Sequence, residues 1–236
     1  MRYDKIDITR WIAILMMIIF HINYSLLFIF WINFLNFSDN FWNIFWKISW
    51  ILFIVISGIS FLLSEKKHGN NVRKKYLRYS FFLWIISIII TLLTYVFLRK
   101  QLILFWILHF FSISFFLMIY LRKLKYLNLF IWLIISILPF FINLRASFNY
   151  LFFIWLRKND FYSADYWPLI PYFWIFLISY SISYYLYEKQ ILQKILSWEK
   201  KGFTYNTLKY MWKNSLLIYL IHQPIIILLI YIIKYI

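Results

Sequence analysis

Three of the four histidines, His21, His109 and His222, stand inside hydrophobic stretches long enough to cross a bilayer. Near neutral pH an imidazole can take a proton from a hydroxyl or amine, return it, or carry an acyl group on nitrogen. Hydrocarbon is a costly place for an ionisable side chain, so such residues face protein or water and default to function. The plain alternative is three separate histidines, each hydrogen-bonded between helices. His68 lies in a charged loop and is read as solvated.

Other polar residues surround these three in sequence. Asp7 and Arg10 precede His21, and at 100° per residue they lie within about 40° and about 20° of its face. Arg10 would then sit at the membrane rim, where a guanidinium suits a phosphate-bearing ligand. Asp7 would cap the helix or hold Arg10. Ordinary interfacial charges are the plain reading of both. Ser215, Gln223 and Pro224 accompany His222, and Pro224 has no N–H to offer the carbonyl of Leu220, so the helix is expected to loosen there. Asp165 precedes Pro168 and Pro171, which form a rigid start to a helix. It is placed to orient a hydroxyl-bearing substrate or pair with a cation, against a plain aromatic interfacial turn. Ser57, Gly58 and Ser60 read as a close-packing patch.

The elements that must carry these residues follow from composition. The chain has 236 residues, 64% hydrophobic and 25% aromatic, with mean hydropathy +0.75. Soluble domains are closer to half apolar. The class is therefore an all-α, polytopic integral membrane helix bundle. About 20 apolar residues cross the hydrocarbon core, and seven stretches have or approach that length: 11–31, 43–63, 80–98, 102–121, 127–142, 171–187 and 215–233. The fifth and sixth are short. The apolar piece 148–156 is too brief to span and reads as re-entrant or interfacial.

Lysines and arginines set the orientation. With seven helices, 18 of the 25 fall on the side of the N-terminus and 7 on the other. Cytoplasmic loops carry the excess, so the N-terminus is expected in the cytoplasm. An eighth helix would spoil the asymmetry. At ~1.5 Å per helical residue, His21, His222 and His109 then lie about 16, 12 and 18 Å from the cytoplasmic edge, all near mid-depth. One shared site for the three is the expectation.

The net charge of +17 is explained by these loops rather than by a nucleic-acid partner, which needs a basic stripe on a soluble surface. There is no cysteine, which excludes disulfides, thiolate metal sites and a cysteine acyl carrier. No metal site is expected either: no His-Glu-x-x-His pair occurs, and the eight carboxylates are mostly in loops. The first apolar run is too long for a cleaved leader and lacks a small-residue cleavage site. No repeat or linker divides the chain, so residues 1–236 are expected to form a single domain.

The ordered set Ile-Asp7-x-x-Arg10, His21, Ser57-Gly58-Ile-Ser60, Ile107-Leu108-His109, Asp165-Tyr-x-Pro168-Leu-x-Pro171 and Ser215-Leu-Leu-Ile-Tyr-x-Ile-His222-Gln-Pro224 resembles the heparan-alpha-glucosaminide N-acetyltransferase catalytic-domain family, in its short bacterial branch. The first-helix spacing is also similar to that of the wider transmembrane acyltransferase superfamily. The resemblance implies an acyltransferase of the bacterial plasma membrane. It would move an acetyl group from cytosolic acetyl-CoA, as co-substrate, to a sugar or glycan acceptor on the far side. His21 would be the first choice of base, with His222 and His109 as supporting or alternative members, and Arg10 would hold coenzyme phosphate. Asp165, Gln223 and Ser215 would meet substrate. A homo-oligomer stays open.

The chain departs from the family pattern. Trp11, Trp106, Trp174 and Trp212 stand where glycine is expected, and Ser112 and Ser179 also replace glycine; 13 Trp accompany 3 Gly. Either UGA codons meant as glycine are read here as tryptophan, or the chain has diverged. UGG at all four tryptophan codons excludes the first reading. The alternative functions are a non-catalytic transporter or flippase using the histidines, which would call for an inverted repeat that the sequence lacks, and an inactive membrane scaffold.

Overall fold

The structure is a computed structural model that describes residues 3–32, 39–97, 102–141, 151–158, 160–197 and 215–235. Trp212 and the lysines at 200, 201, 209 and 213 lie outside the described residues. Eight helices follow in order among the described residues: α1 (Asp4–Phe28), α2 (Asp39–His68), α3 (Val72–Phe97), α4 (Ile107–Leu121), α5 (Asn128–Phe141), α6 (Leu169–Glu188), the short α7 (Ile191–Leu196) and α8 (Ser215–Tyr235). Backbone groups cannot be satisfied by lipid, so long apolar segments close their hydrogen bonds internally as helices.

Among the described residues, five helical runs are long and apolar enough to cross a membrane: Asp4–Phe28, Asp39–Phe97, Ile107–Ile135, Leu169–Glu188 and Ser215–Lys234. The chain is an integral membrane protein. Each of the seven apolar stretches read from the sequence overlaps one helix, although 102–106 and 29–31 are not helical; the second run contains both α2 and α3, and the third contains α4 and most of α5. At 15 and 14 residues, α4 and α5 are each only about 22 Å long.

The chain divides into two compact units, Met1–Ser57 with Gln190–Ile236, and Gly58–Lys189. In the first, α1 lies beside α8. Trp11, Ile14 and Met17 are buried against Phe53, Ile218 and Tyr219. Further along, Ser25 meets Gln223, and Lys234 donates to the Phe30 carbonyl at 3.4 Å. The partners rise together, so α1 and α8 run parallel. Against α2 the order reverses: Ser49 Oγ donates to the Ala13 carbonyl at 3.1 Å and Trp46 meets Phe20. Asp4 and Asp7 lie in the first turn of α1, where negative charge suits the helix dipole.

In the second unit, Phe61 packs on Tyr76, Phe115, Phe176 and Tyr180. Ser80 and Ser112 exchange hydrogen bonds, each hydroxyl donating to the other residue's carbonyl at 2.7 and 2.8 Å. This pairing joins α3 to α4 in antiparallel sense. Glu65 pairs with Arg122 at 3.0 Å and also accepts the Tyr180 hydroxyl at 2.8 Å. The outward face of α3 carries Phe81, Phe82, Ile88, Ile89 and Leu92, while its buried face carries Ser80, Leu83 and Ser87. That inverts the soluble pattern and is what lipid-facing helices require, since small and weakly polar residues let helices approach.

His68 is not merely solvated: its Nδ1 lies 2.9 Å from the Ser64 carbonyl in the last turn of α2. Gly58 does serve close packing. A Cβ there would meet Ser179 Oγ at 2.8 Å and the Phe176 carbonyl oxygen at 3.0 Å. Overpacking of this kind costs about 1–3 kcal/mol. Gly58→Ala is expected to lower the unfolding temperature in detergent, with partial recovery on adding Ser179→Gly; a Gly58→Ala protein as stable as the parent would contradict the packing assigned here.

Candidate active site

The first unit brings two of the predicted histidines together. His21 on α1 and His222 on α8 have ring centroids 4.9 Å apart, inclined at 55°. Their meeting follows from the parallel course of the two helices, which brings residues of similar depth side by side. His222 Nδ1 lies 2.5 Å from the Tyr219 carbonyl. A carbonyl only accepts, so Nδ1 carries the hydrogen and Nε2 holds the lone pair of the neutral ring. His222 Nε2 and His21 Nδ1 are both buried with no hydrogen-bond partner among the described residues. Unpaired buried polar atoms are uncommon and call for an explanation such as a catalytic role or an absent bound molecule.

Gln223 Nε2–H donates to Ser25 Oγ at 3.1 Å, leaving Gln223 Oε1 without a partner among the described residues. This bond ties α8 to α1 one turn beyond His21. Ser25, fully buried, was not singled out from the sequence. Its i+4 spacing from His21 puts it on the same helix face, which is the signal that could have found it. Pro224 lies within α8, and the helix runs on through it from Ser215 to Tyr235. The loosening expected there does not end the helix. Ser215 begins α8 and is half-buried.

At the start of α1, Arg10 Nη1 lies 3.8 Å from Asp7 Oδ1. Asp7 is thus placed to hold Arg10, one turn apart on the face that also carries His21.

His109 and Asp165 belong to the second unit. His109 is buried, stacked on Phe105 at 5.3 Å and met edge-on by Trp84 at 5.3 Å. Its Nδ1 has no hydrogen-bond partner among the described residues. Asp165 accepts Trp167 Nε1–H at 2.5 Å. Just beyond it, Pro168 in extended conformation and the non-helical Ile170 delay the regular part of α6, as the two prolines suggested. The described part of the piece read as re-entrant or interfacial holds a short 3-10 turn, Phe152–Ile154.

The profile of a family described as heparan-alpha-glucosaminide N-acetyltransferase, catalytic, matches residues 2–224. The chain belongs to this family. The match spans nearly the whole sequence and includes every residue singled out above as a candidate for chemistry. No curated protein and no solved structure matches the chain. Three of the four tryptophans at expected glycine positions are described: Trp11 is buried among Ile14, Met17, Phe53, Ile218 and Tyr219, Trp106 is buried, and Trp174 packs on Trp132 at 6.0 Å. No group of three or more His, Cys, Asp or Glu side chains that could hold a metal occurs among the described residues.

Enclosure pushes the Asp165 carboxyl up from its ordinary 3.8 to about 6, against the opposing hydrogen bonds from Trp167 and the Tyr166 backbone. The folded state therefore binds a proton more tightly than the unfolded chain. The stabilisation this brings is fully present below about pH 4 and is lost as pH rises through about 6. Relative to Asp165→Asn, the parent protein is expected to gain thermal stability between pH 6.5 and 4, as measured by unfolding in detergent. A difference between the two that is flat across this range would show the carboxyl to be unperturbed.

Proposed function

We propose that the chain is a membrane-embedded acetyltransferase that moves an acetyl group from cytosolic acetyl-CoA to an extracytoplasmic sugar or glycan hydroxyl or amine. The observation that carries this reading is the His21–His222 pair: two adjacent imidazoles, each with a buried nitrogen that has no partner among the described residues, in a chain of this family. One imidazole takes the acceptor's proton as the oxygen or nitrogen attacks the thioester carbonyl. The carbon–sulfur bond breaks, and coenzyme A leaves as its thiol after taking up the proton. In a two-step variant the imidazole itself attacks, carries the acetyl group, and passes it to the acceptor. His21 is the preferred base. The Tyr219 carbonyl fixes the tautomer of His222 so that Nε2 faces the chemistry.

Arg10, steadied by Asp7, suits the coenzyme's phosphates. Gln223 and Ser215 are substrate-contacting candidates on α8, while His109 and Asp165 are candidates on the second unit. Seven crossings with a cytoplasmic N-terminus remain the preferred topology. Parallel α1 and α8 need an odd number of spans between the two sides, and the antiparallel α1–α2 and α3–α4 pairs alternate as that topology asks. The bacterial plasma membrane is the proposed location.

Membranes containing the protein, supplied with labelled acetyl-CoA and a mixed glycan acceptor, are expected to transfer label. His21→Ala and His222→Ala should each lower the rate by roughly 10²-fold or more, with a smaller loss in Gln223→Ala. Transfer undiminished in both histidine variants would remove the pair from the mechanism. Solute uptake needing no acetyl donor would instead make the chain a transporter.

A further inference from the structure

The second unit holds four carboxylates, Glu65, Asp160, Asp165 and Glu188, and all four are among the described residues. Glu65 takes Arg122. Glu188 accepts the Tyr126 hydroxyl. Asp165 is turned to Trp167, and Asp160 is exposed. Arg157 has no ion-pair partner and donates no hydrogen bond among the described residues. It is nonetheless half-buried and held in place. Its guanidinium carbon lies 4.8 Å from the Tyr166 ring centre and 5.5 Å from that of Phe161.

The platform beneath it is firmly built. Phe161 and Tyr166 rings lie 5.1 Å apart, and Phe152 stacks on Phe161 at 5.5 Å. The Tyr166 hydroxyl donates to the Phe152 carbonyl at 2.5 Å. The strand-like stretch before α6 is anchored to the one before α4, with Ala164 N–H on the Leu102 carbonyl at 2.9 Å and Trp167 N–H on the Phe105 carbonyl at 2.8 Å. Ser163 Oγ accepts Leu104 N–H at 3.1 Å and donates to the Asp165 carbonyl.

A guanidinium resting on an aromatic face uses its π surface for that contact and keeps its in-plane N–H fork available. Neither ring neutralises its charge. We propose that Arg157, on the Phe161–Tyr166 platform, is a binding site for an oxyanion: a carboxylate, sulfate or phosphate borne by a soluble acceptor or by a lipid headgroup. A planar or tetrahedral oxyanion meets the fork with two parallel hydrogen bonds, the strongest geometry open to arginine. This inference does not depend on acetyl transfer.

The test uses the purified full chain in two arms. In neutral detergent, tryptophan fluorescence and unfolding temperature are followed during titration with sodium glucuronate and with inorganic sulfate, using glucose as the neutral control. In nanodiscs, phosphatidylcholine alone is compared with phosphatidylcholine plus phosphatidylglycerol. A saturable response to glucuronate or sulfate supports the site with a soluble source, and a response confined to phosphatidylglycerol discs supports it with a lipid source. In either case Arg157→Gln should weaken the response by about tenfold or more, and Arg157→Lys, which keeps the charge but loses the fork, by several-fold. The Lys variant decides the matter should the Gln variant fail to fold. Lys158→Gln, an exposed neighbour, should change it less. Parent protein without a saturable oxyanion response in both arms, or a response unaltered by the Arg157 substitutions, overturns the proposal.

Discussion

Inside hydrocarbon there is no water to complete a hydrogen bond, so every polar side chain must be answered by another part of the protein. That constraint orders this structure. Ser80 and Ser112 answer each other across α3 and α4. Glu65, Arg122 and Tyr180 close a charged cluster within the second unit. Gln223 and Ser25 join α1 to α8. Other buried polar atoms, such as Gln223 Oε1, His109 Nδ1 and Ser114 Oγ, also lack a partner among the described residues; what sets His21 Nδ1 and His222 Nε2 apart is that their rings meet, with centroids 4.9 Å apart. In the function proposed above, this pair is where a molecule that comes and goes would be met.

The geometry of the pair depends on helix direction more than on local sequence. Because α1 and α8 run parallel, residues at similar distances from their starting side come level with one another. Trp11, Ile14 and Met17 pack with Ile218 and Tyr219 below the histidines, and Lys234 reaches the Phe30 carbonyl above them. The apolar layer and the outer tether bracket the polar one. Tyr219 belongs to both layers, since its ring joins the apolar cluster and its carbonyl orients His222.

Much of this was legible in the sequence. Runs of apolar residues marked each long helix, since the length needed to cross lipid is a fixed physical quantity. Polar interruptions marked His21, His222 and Gln223 for the same reason. Pairing was less legible: periodicity places a residue on a helix face but says nothing of which helix faces it. Ser25 is one serine among many in the sequence, and only the bond from Gln223 distinguishes it. Pro224 lacks a backbone donor, yet α8 continues through it from Ser215 to Tyr235. In the sequence Arg157 is only one of the seven cations on the less basic side, and its aromatic platform depends on loop geometry that no periodic pattern encodes.

The hydrogen bond between Ser25 and Gln223 spans a separation of 198 residues along the chain. During biosynthesis α1 enters the membrane while α8 has yet to be made. Throughout that interval Ser25 and His21 must be sheltered by other helices, by lipid headgroups or by the insertion machinery itself. Competence for chemistry would thus arrive only once α8 has been translated, and a chain terminated before it would lack the second imidazole altogether.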